Sequence, residues 1–243
     1  MGDVIDPRRT AALAASSPSS GYDALVARRP QLDRSSRSAQ IAEIVRDSIL
    51  DGALRPGERL SEPDICQALG VSRNTLREAF RSLADQRLAV HELNRGMFVR
   101  VPGRSDVHEL YACRRIIEVA AVRTPHESER LAGVRAAVEA AWACADEGDW
   151  VGVGTADIAF HKEITALNDS TRINEFMQSV WNELRLVFHV MGNPFTFHEP
   201  YLDRNRAILE VLLQQRTDDA VGMLTDYLDV AERHILTSYP GAA

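Results

Sequence analysis

The chain has 243 residues, 45% of them hydrophobic, and a formal net charge of -7 at pH 7. That length and apolar content suffice for one large or two modest cores; no long apolar run and no basic-then-apolar leader pattern appear, so a membrane span and secretion are not indicated and the cytoplasm is the expected location. The charge is unevenly spread: residues 1–33 balance to 0, residues 34–104 carry +3 and residues 105–243 carry -10, which predicts two domains with different partners behind an N-terminal arm.

The arm, residues 1–33, is rich in Ala, Ser, Arg and Pro without a sustained period and is expected to be flexible, with at most a short helix at 22–28. The first strong helical pattern follows Ser38, where Ile41, Ile44, Val45, Ser48 and Ile49 form one stripe. Gly52, Pro56 and Gly57 then force a turn. In "LSEPDICQALG" Ser61 can cap a helix that holds Pro63 in its first turn and turns Ile65 and Leu69 inward. Gly70 ends it, and "VSRNTLREAF" restarts a helix at Ser72 with Leu76, Phe80 and Leu83 or Ala84 as its apolar side. Two short helices about a tight glycine turn make a helix-turn-helix pattern. "RLAVHELNRGMFVRV" reads as two strands about Asn94-Arg95-Gly96, a hairpin or wing.

From Asp106 onward the periodicity is helical almost throughout. Helices are expected near 105–122, 126–147, 150–167, 172–191, 200–215 and 218–237, joined by short breaks that favour antiparallel neighbours. The fold class is therefore mainly α: a winged helix-turn-helix at 34–104, then an all-α antiparallel helical bundle at 105–243. Cys66, Cys113 and Cys144 are odd in number and far apart, as expected of free thiols.

Two features point to function. In "GVSRNTLREAFRSLADQRLAV" the apolar side packs while Arg73, Arg77 and Arg81 project elsewhere, and a guanidinium can bind phosphate or read guanine from a helix in the major groove. Arg73 and Asn74 stand in the first turn, Thr75 offers a hydroxyl, and Arg95 sits at the wing tip. The alternative is that these arginines pair with Glu78 and Asp85 on a solvated face. In the bundle, Val107, Leu110, Ile117 and Ala121 form a stripe whose centre is Arg114. Val153, Phe160, Ile164 and Leu167 form another that holds Asp157 and His161. Asn205 lies below Ile208, Leu209 and Leu212, and Tyr227 sits among Leu224, Leu228 and Ala231. Polar groups on apolar faces require partners. They satisfy one another, as Arg114 with Asp157, or they bind a ligand. A buried guanidinium favours a small carboxylate.

Residues 38–101, above all "PGERLSEPDICQALGVSRNTLREAFRSLADQRLAV" and "RGMFV", resemble the winged helix-turn-helix of GntR-type transcription regulators. The segments "ELYACRRIIE", "DIAFHKEITALN" and "RNRAILEVLL" are similar to the FCD effector domain of the FadR subfamily. The resemblance implies a homodimer that binds double-stranded operator DNA under control of a small effector. It also implies a divalent metal held by one Asp and three His. Asp157 and His161 match two of those ligands, whereas the other two positions fall on Asn205 and Tyr227, with His234 a substitute on the same face as Tyr227. A metal- or acid/base-dependent enzyme using Asp157 and His161 is the alternative, although no GxSxG, HExxH or Gly-rich phosphate loop is present. An architectural nucleic-acid binder is a third reading, one that leaves Arg114 and Asp157 without a purpose.

Overall fold

The computed structural model of the protein describes residues 29–191 and 193–239. Most of the expected arm, with its helix at 22–28, lies outside the described residues. Helix α1 spans Arg29–Leu50, so it crosses the expected boundary at 33/34 and begins before the apolar stripe does. Pro30 stands in its first turn, where a missing N–H costs nothing. Ile41, Val45 and Ile49 are buried, while Ile44 is 51% exposed.

The N-terminal module continues with β1 (Arg59–Leu60), α2 (Glu62–Leu69), α3 (Arg73–Asp85), β2 (Ala89–Glu92) and β3 (Gly96–Val99). Gly70 closes α2 in the left-handed region at φ 62, which glycine enters without a Cβ penalty. Ser72 then caps α3, its side chain accepting from Thr75 N at 3.2 Å. Ser61 precedes α2 but makes no side-chain cap bond. Strands β2 and β3 form the antiparallel hairpin expected around residues 94–96, pairing Val90 with Phe98 and Glu92 with Gly96. The sheet order is β1-β3-β2. Strand β1 was not expected, because two residues are too short to show a period of two.

The bundle consists of α4 (Arg104–Ala121), α5 (Ala132–Asp146), α6 (Trp150–Ala166), α7 (Thr171–Val190), α8 (Pro194–Leu213) and α9 (Thr217–Ser238). A short 3₁₀ turn, Ser128–Leu131, leads into α5. Helix α8 starts six residues before the expected 200, because Asn193 caps it by accepting from Phe195 N at 3.1 Å and the helix runs through Pro200. Helix α5 packs on α6, α9 on α4 and α8, and α6 on both α7 and α8. Val107, Phe160, Leu184, Leu224 and Ile235 are each at most 1% exposed in the core they enclose.

The two modules meet in a junction that combines apolar packing with hydrogen bonds. Leu186 of α7 is fully buried in the core of the N-terminal module, beside Ile49, Leu76 and Leu83. The last carbonyl of α1, at Leu50, accepts from Arg185 Nε at 3.0 Å and bonds His189 Nε2 at 2.8 Å, which satisfies a helix end that would otherwise lack a partner. Arg100, just past the wing, donates to Asp106 Oδ1 at 2.6 Å and also to Glu183. Tyr239 at the end of α9 donates to the Pro102 carbonyl at 2.6 Å.

A cavity at Leu186 would therefore weaken a core in a different module from the one that encodes it. Leu186→Ala is expected to lower stability by about 2–5 kcal/mol and to loosen the helix-turn-helix. Urea unfolding with hydrogen exchange on α3 checks this; unchanged protection of α3 would show that the two cores are independent.

Candidate functional site

The first site is the outer face of α3. Leu76, Ala79, Phe80 and Leu83 are buried, which leaves Arg73, Asn74, Arg77 and Arg81 exposed and Thr75 half-buried. Among the described residues Arg73 and Arg81 make no ion pair. Arg77 pairs with Glu62 of α2, Nε to Oε1 at 3.1 Å, rather than with Glu78 or Asp85. Thr75 Oγ1 lies 2.7 Å from Ser72 Oγ, so its hydroxyl already belongs to the helix cap. Arg95, at the hairpin tip, pairs with Glu92 and lies over the Phe98 ring at 5.0 Å. The helix thus presents an exposed positive face, and the pairs of Arg77 and Arg95 are surface pairs of little individual strength.

The second site lies inside the bundle. Arg114, Asp157, His161, Asn205 and Tyr227 are all buried, from four helices, and they are brought together. Asp157 is not the partner of Arg114. Arg114 Nε donates to Glu118 Oε1 at 2.7 Å, and Glu118 Oε2 faces His161 Nδ1 at 2.6 Å. Asp157 Oδ1 instead accepts from Asn205 Nδ2 and from the Tyr227 hydroxyl, both at 2.8 Å. Tyr111 and Trp181 cover the guanidinium at 4.7 and 5.4 Å. Glu118 therefore supplies the countercharge that the sequence assigned to Asp157 or to an acid ligand. Four buried polar atoms of this region remain without a partner among the described residues: Arg114 Nη2, His161 Nε2, Asn205 Oδ1 and His198 Nδ1.

Sequence reasoning missed Glu118 and His198. The first was signalled by the Arg114-x-x-x-Glu118 spacing, which places both on one helix face. The second had no signal in the sequence, and only the structure shows that a Cβ at Gly154 would lie 2.5 Å from His198 Nε2, so that glycine leaves room for the ring.

The residues do not fit the divalent metal that the resemblance implies. At both replaced positions Asp157 meets a proton donor, where an ion requires a lone pair. Burial, and then the neighbouring Asp157, push the Tyr227 hydroxyl well above its ordinary range, so it stays protonated. His161 Nε2 is 4.0 Å from Asp157 Oδ1. His234 is no substitute, because its Nδ1 bonds the Tyr201 hydroxyl at 3.2 Å. Among the described residues, no three His, Cys, Asp or Glu side chains are grouped to hold a metal.

Comparisons with known proteins agree with both halves of the chain. Residues 37–99 match the model of the bacterial regulatory proteins of the gntR family, and residues 109–230 match that of the FCD domain. A solved GntR transcriptional regulator from Rhodococcus sp. RHA1 is 52% identical, covers 84% of this chain and 99% of its own, and superposes with a TM-score of 0.81. The Nta operon transcriptional regulator of Aminobacter aminovorans is 39% identical over 69 residues, 28% of this chain and 33% of that protein. This chain therefore spans only about a third of that relative. An HTH-type transcriptional regulator of Agrobacterium vitis is 28% identical over 128 residues, 50% of this chain and 75% of that one. Among the described residues no helix is long and apolar enough to cross a membrane.

The buried groups of the polar cluster make stability fall as pH falls, while Glu183, which burial raises above its ordinary value, contributes with the opposite sign. Burial alone would raise Glu118, but Arg114 and His161 hold it below its ordinary value. Burial likewise opposes the shift of Asp157, which His161 and the bonds from Asn205 and Tyr227 pull below its ordinary value. Stability from these carboxylates is present above the ordinary carboxylate range and is lost as pH falls through their lowered values. Burial pulls His198 from 6.5 down to about 4. Between those values the unfolded chain binds a proton that the folded chain refuses, so stability falls as pH falls, by at most about 1.4 kcal/mol per pH unit. His189 and His234 are lowered in the same direction, both first by burial. The Tm is expected to drop between pH 6.5 and 4, and to drop less in His198→Leu. Equal slopes in a circular dichroism series would remove His198 as a cause.

Proposed function

The chain belongs to the GntR family of bacterial regulatory proteins and carries an FCD domain, and on that premise we propose that it is a cytoplasmic homodimeric regulator whose operator affinity is set by a small organic acid. As a member of that family it is a transcription regulator with a DNA-binding domain. The proposed DNA contacts are Arg73, Asn74, Thr75, Arg77 and Arg81 on α3, with Arg95 on the wing. One recognition helix reads only a few base pairs, so two-fold pairing on a short palindrome supplies the rest of the specificity. The proposed domain division is an arm at 1–33, the DNA-binding module at 34–104, and an effector-binding and dimerisation domain at 105–243.

The observation that carries the effector reading is the set of unpartnered atoms around the Arg114 cluster. A core that leaves Arg114 Nη2, His161 Nε2 and Asn205 Oδ1 unbonded costs about 1–3 kcal/mol for each, and a ligand that bonds them recovers that cost. Glu118 already balances the Arg114 charge, so the cluster offers a ligand one free donor, Arg114 Nη2, and one free acceptor, Asn205 Oδ1, a pair that the carboxylate oxygen and the hydroxyl or amino proton of a hydroxy or amino acid complement. Asp157 and Tyr227 hold Asn205 and His161 in place for it. The alternative of an enzyme using Asp157 and His161 gains no support, because Asp157 Oδ1 already accepts two hydrogen bonds and the matched relatives are regulators.

For the DNA contacts, Arg73→Ala is expected to weaken binding to an operator selected from random duplexes by about 1–3 kcal/mol and to relax base preference at one position. Affinity should also fall with salt, each neutralised phosphate adding about -0.9 to the slope of log K against log salt. Anisotropy titrations read both, and full affinity in Arg73→Ala and Arg77→Ala would overturn the assignment. For the effector, a panel of hydroxy and amino acids is expected to raise the Tm of the parent but not of Arg114→Met/Glu118→Gln, which removes both buried charges together. Equal stabilisation of parent and variant would show that the cluster is purely structural.

A further inference from the structure

A cavity lies at the junction of the two modules. It has a volume of about 230 Å³, below the roughly 300–1,000 Å³ of sites for drug-sized ligands. Leu50 and Asp51, at the end of α1, form one wall, while Ile158 and Ala159 of α6 and Trp181 of α7 form the apolar remainder. Its polar groups are mostly donors. Lys162 is half-buried and among the described residues has no hydrogen bond or ion pair. Arg185 commits Nε to the Leu50 carbonyl and has its terminal nitrogens left over. Asn182 accepts from Gln178 through Oδ1 at 2.9 Å, so Nδ2 is the atom left to donate. The single acid in the lining, Asp51, is exposed and makes no ion pair within 4.0 Å among the described residues.

Two cations against one exposed carboxylate, set in apolar walls, is the arrangement that recognises an anion with a hydrophobic body. We propose that this cleft is a second ligand site, in which Lys162, Arg185 and Asn182 hold the carboxylate of a small flat organic acid whose body lies against Trp181, Ile158 and Leu50. Burial lowers both Lys162 and Arg185 from their ordinary values, the mark of cations that lack a full countercharge. Because one wall is the end of the DNA-binding module's first helix, an occupant stabilises this docking of the module against α6 and α7. Ligand and operator are then linked: each changes the other's affinity by the same factor if the operator prefers a different docking. The site is separate from the Arg114 cluster, since Trp181 stands between them, stacked on His161 at 6.4 Å. The inference does not rest on the proposed role of that cluster.

The test uses the full chain, with benzoate as probe and benzamide as its neutral counterpart. Benzoate is expected to bind saturably by calorimetry and to raise the Tm, and benzamide to do neither. Lys162→Met should weaken benzoate binding by about ten-fold or more, the worth of one charged hydrogen bond. Lys162→Arg should restore it, and Ala159→Leu should abolish it by filling the cleft while the charges remain. Arg114→Met/Glu118→Gln should still bind benzoate, which distinguishes this site from the buried cluster. No binding by the parent, equal binding of benzamide, or undiminished binding in both Lys162→Met and Ala159→Leu would overturn the proposal. So would loss of binding in Arg114→Met/Glu118→Gln alone, which would move the anion into the bundle.

Discussion

Everything in the bundle follows from one guanidinium held out of water. Arg114 is 1% exposed, and a buried charge of that kind is tolerated only with a countercharge and further hydrogen bonds. Glu118, one turn on, provides the charge and divides its two oxygens between Arg114 on its own helix and His161 on α6. Burial of His161 brings Asp157, one turn earlier, to the same depth. That carboxylate in turn draws Asn205 from α8 and Tyr227 from α9. Four helices are thereby fixed in register by polar contacts that an apolar core of the same volume would not specify. Removing one member leaves another charged and buried, so the cluster stands or falls as a unit.

Helix α7 extends that constraint to the DNA-binding module. Trp181, Arg185 and His189 recur every four residues and so share one face. The first covers Arg114 and stacks on His161, and the other two hold the end of α1. Leu186, on the adjoining face, completes the core of the N-terminal module. A displacement of α7 cannot stay within the bundle, because the same rigid helix carries the lid of the polar cluster and the anchor of the helix-turn-helix. The helix has the requirements of a coupling element: two sites that bias one packed body.

Most of the fold was legible because the bundle helices are amphipathic and punctuated by strong breakers such as Gly148 and Asn168-Asp169-Ser170. Where the structure differs, the period carried no information. The first turns of α1 have no apolar stripe, β1 is two residues long, and Pro200 looked like a helix start although it lies inside α8. The convergence of Arg114, Asp157, His161, Asn205 and Tyr227 was legible from polar residues on apolar faces. Their pairing was not. Periodicity tells which residues face inward but not which helix faces which, so Asp157 was a natural candidate for Arg114 while the true partner lay four residues along the same helix. His198 and Trp181 were hidden for the opposite reason, since a histidine among aromatics and a core tryptophan look unremarkable until a neighbour such as Gly154 or Arg114 gives them a role.

On the proposed DNA contacts, a basic face on α3 of an acidic chain has an electrostatic consequence for specificity. For Arg77 to take a phosphate it must release Glu62, and Arg95 must likewise release Glu92. Such exposed pairs are individually weak, so the exchange is cheap where the duplex geometry is right. Where it is wrong, each arginine keeps its own carboxylate and the pair offers a phosphate no net charge. The segment from residue 105 onward, with a net charge of -10, adds repulsion wherever the duplex approaches by any surface other than α3 and the wing. Both effects subtract more from loose binding than from the docked complex, and the quantity that matters for an operator among many competing sites is the ratio of the two. The negative charge of the whole chain is thus compatible with DNA binding because it narrows the productive approach to one face.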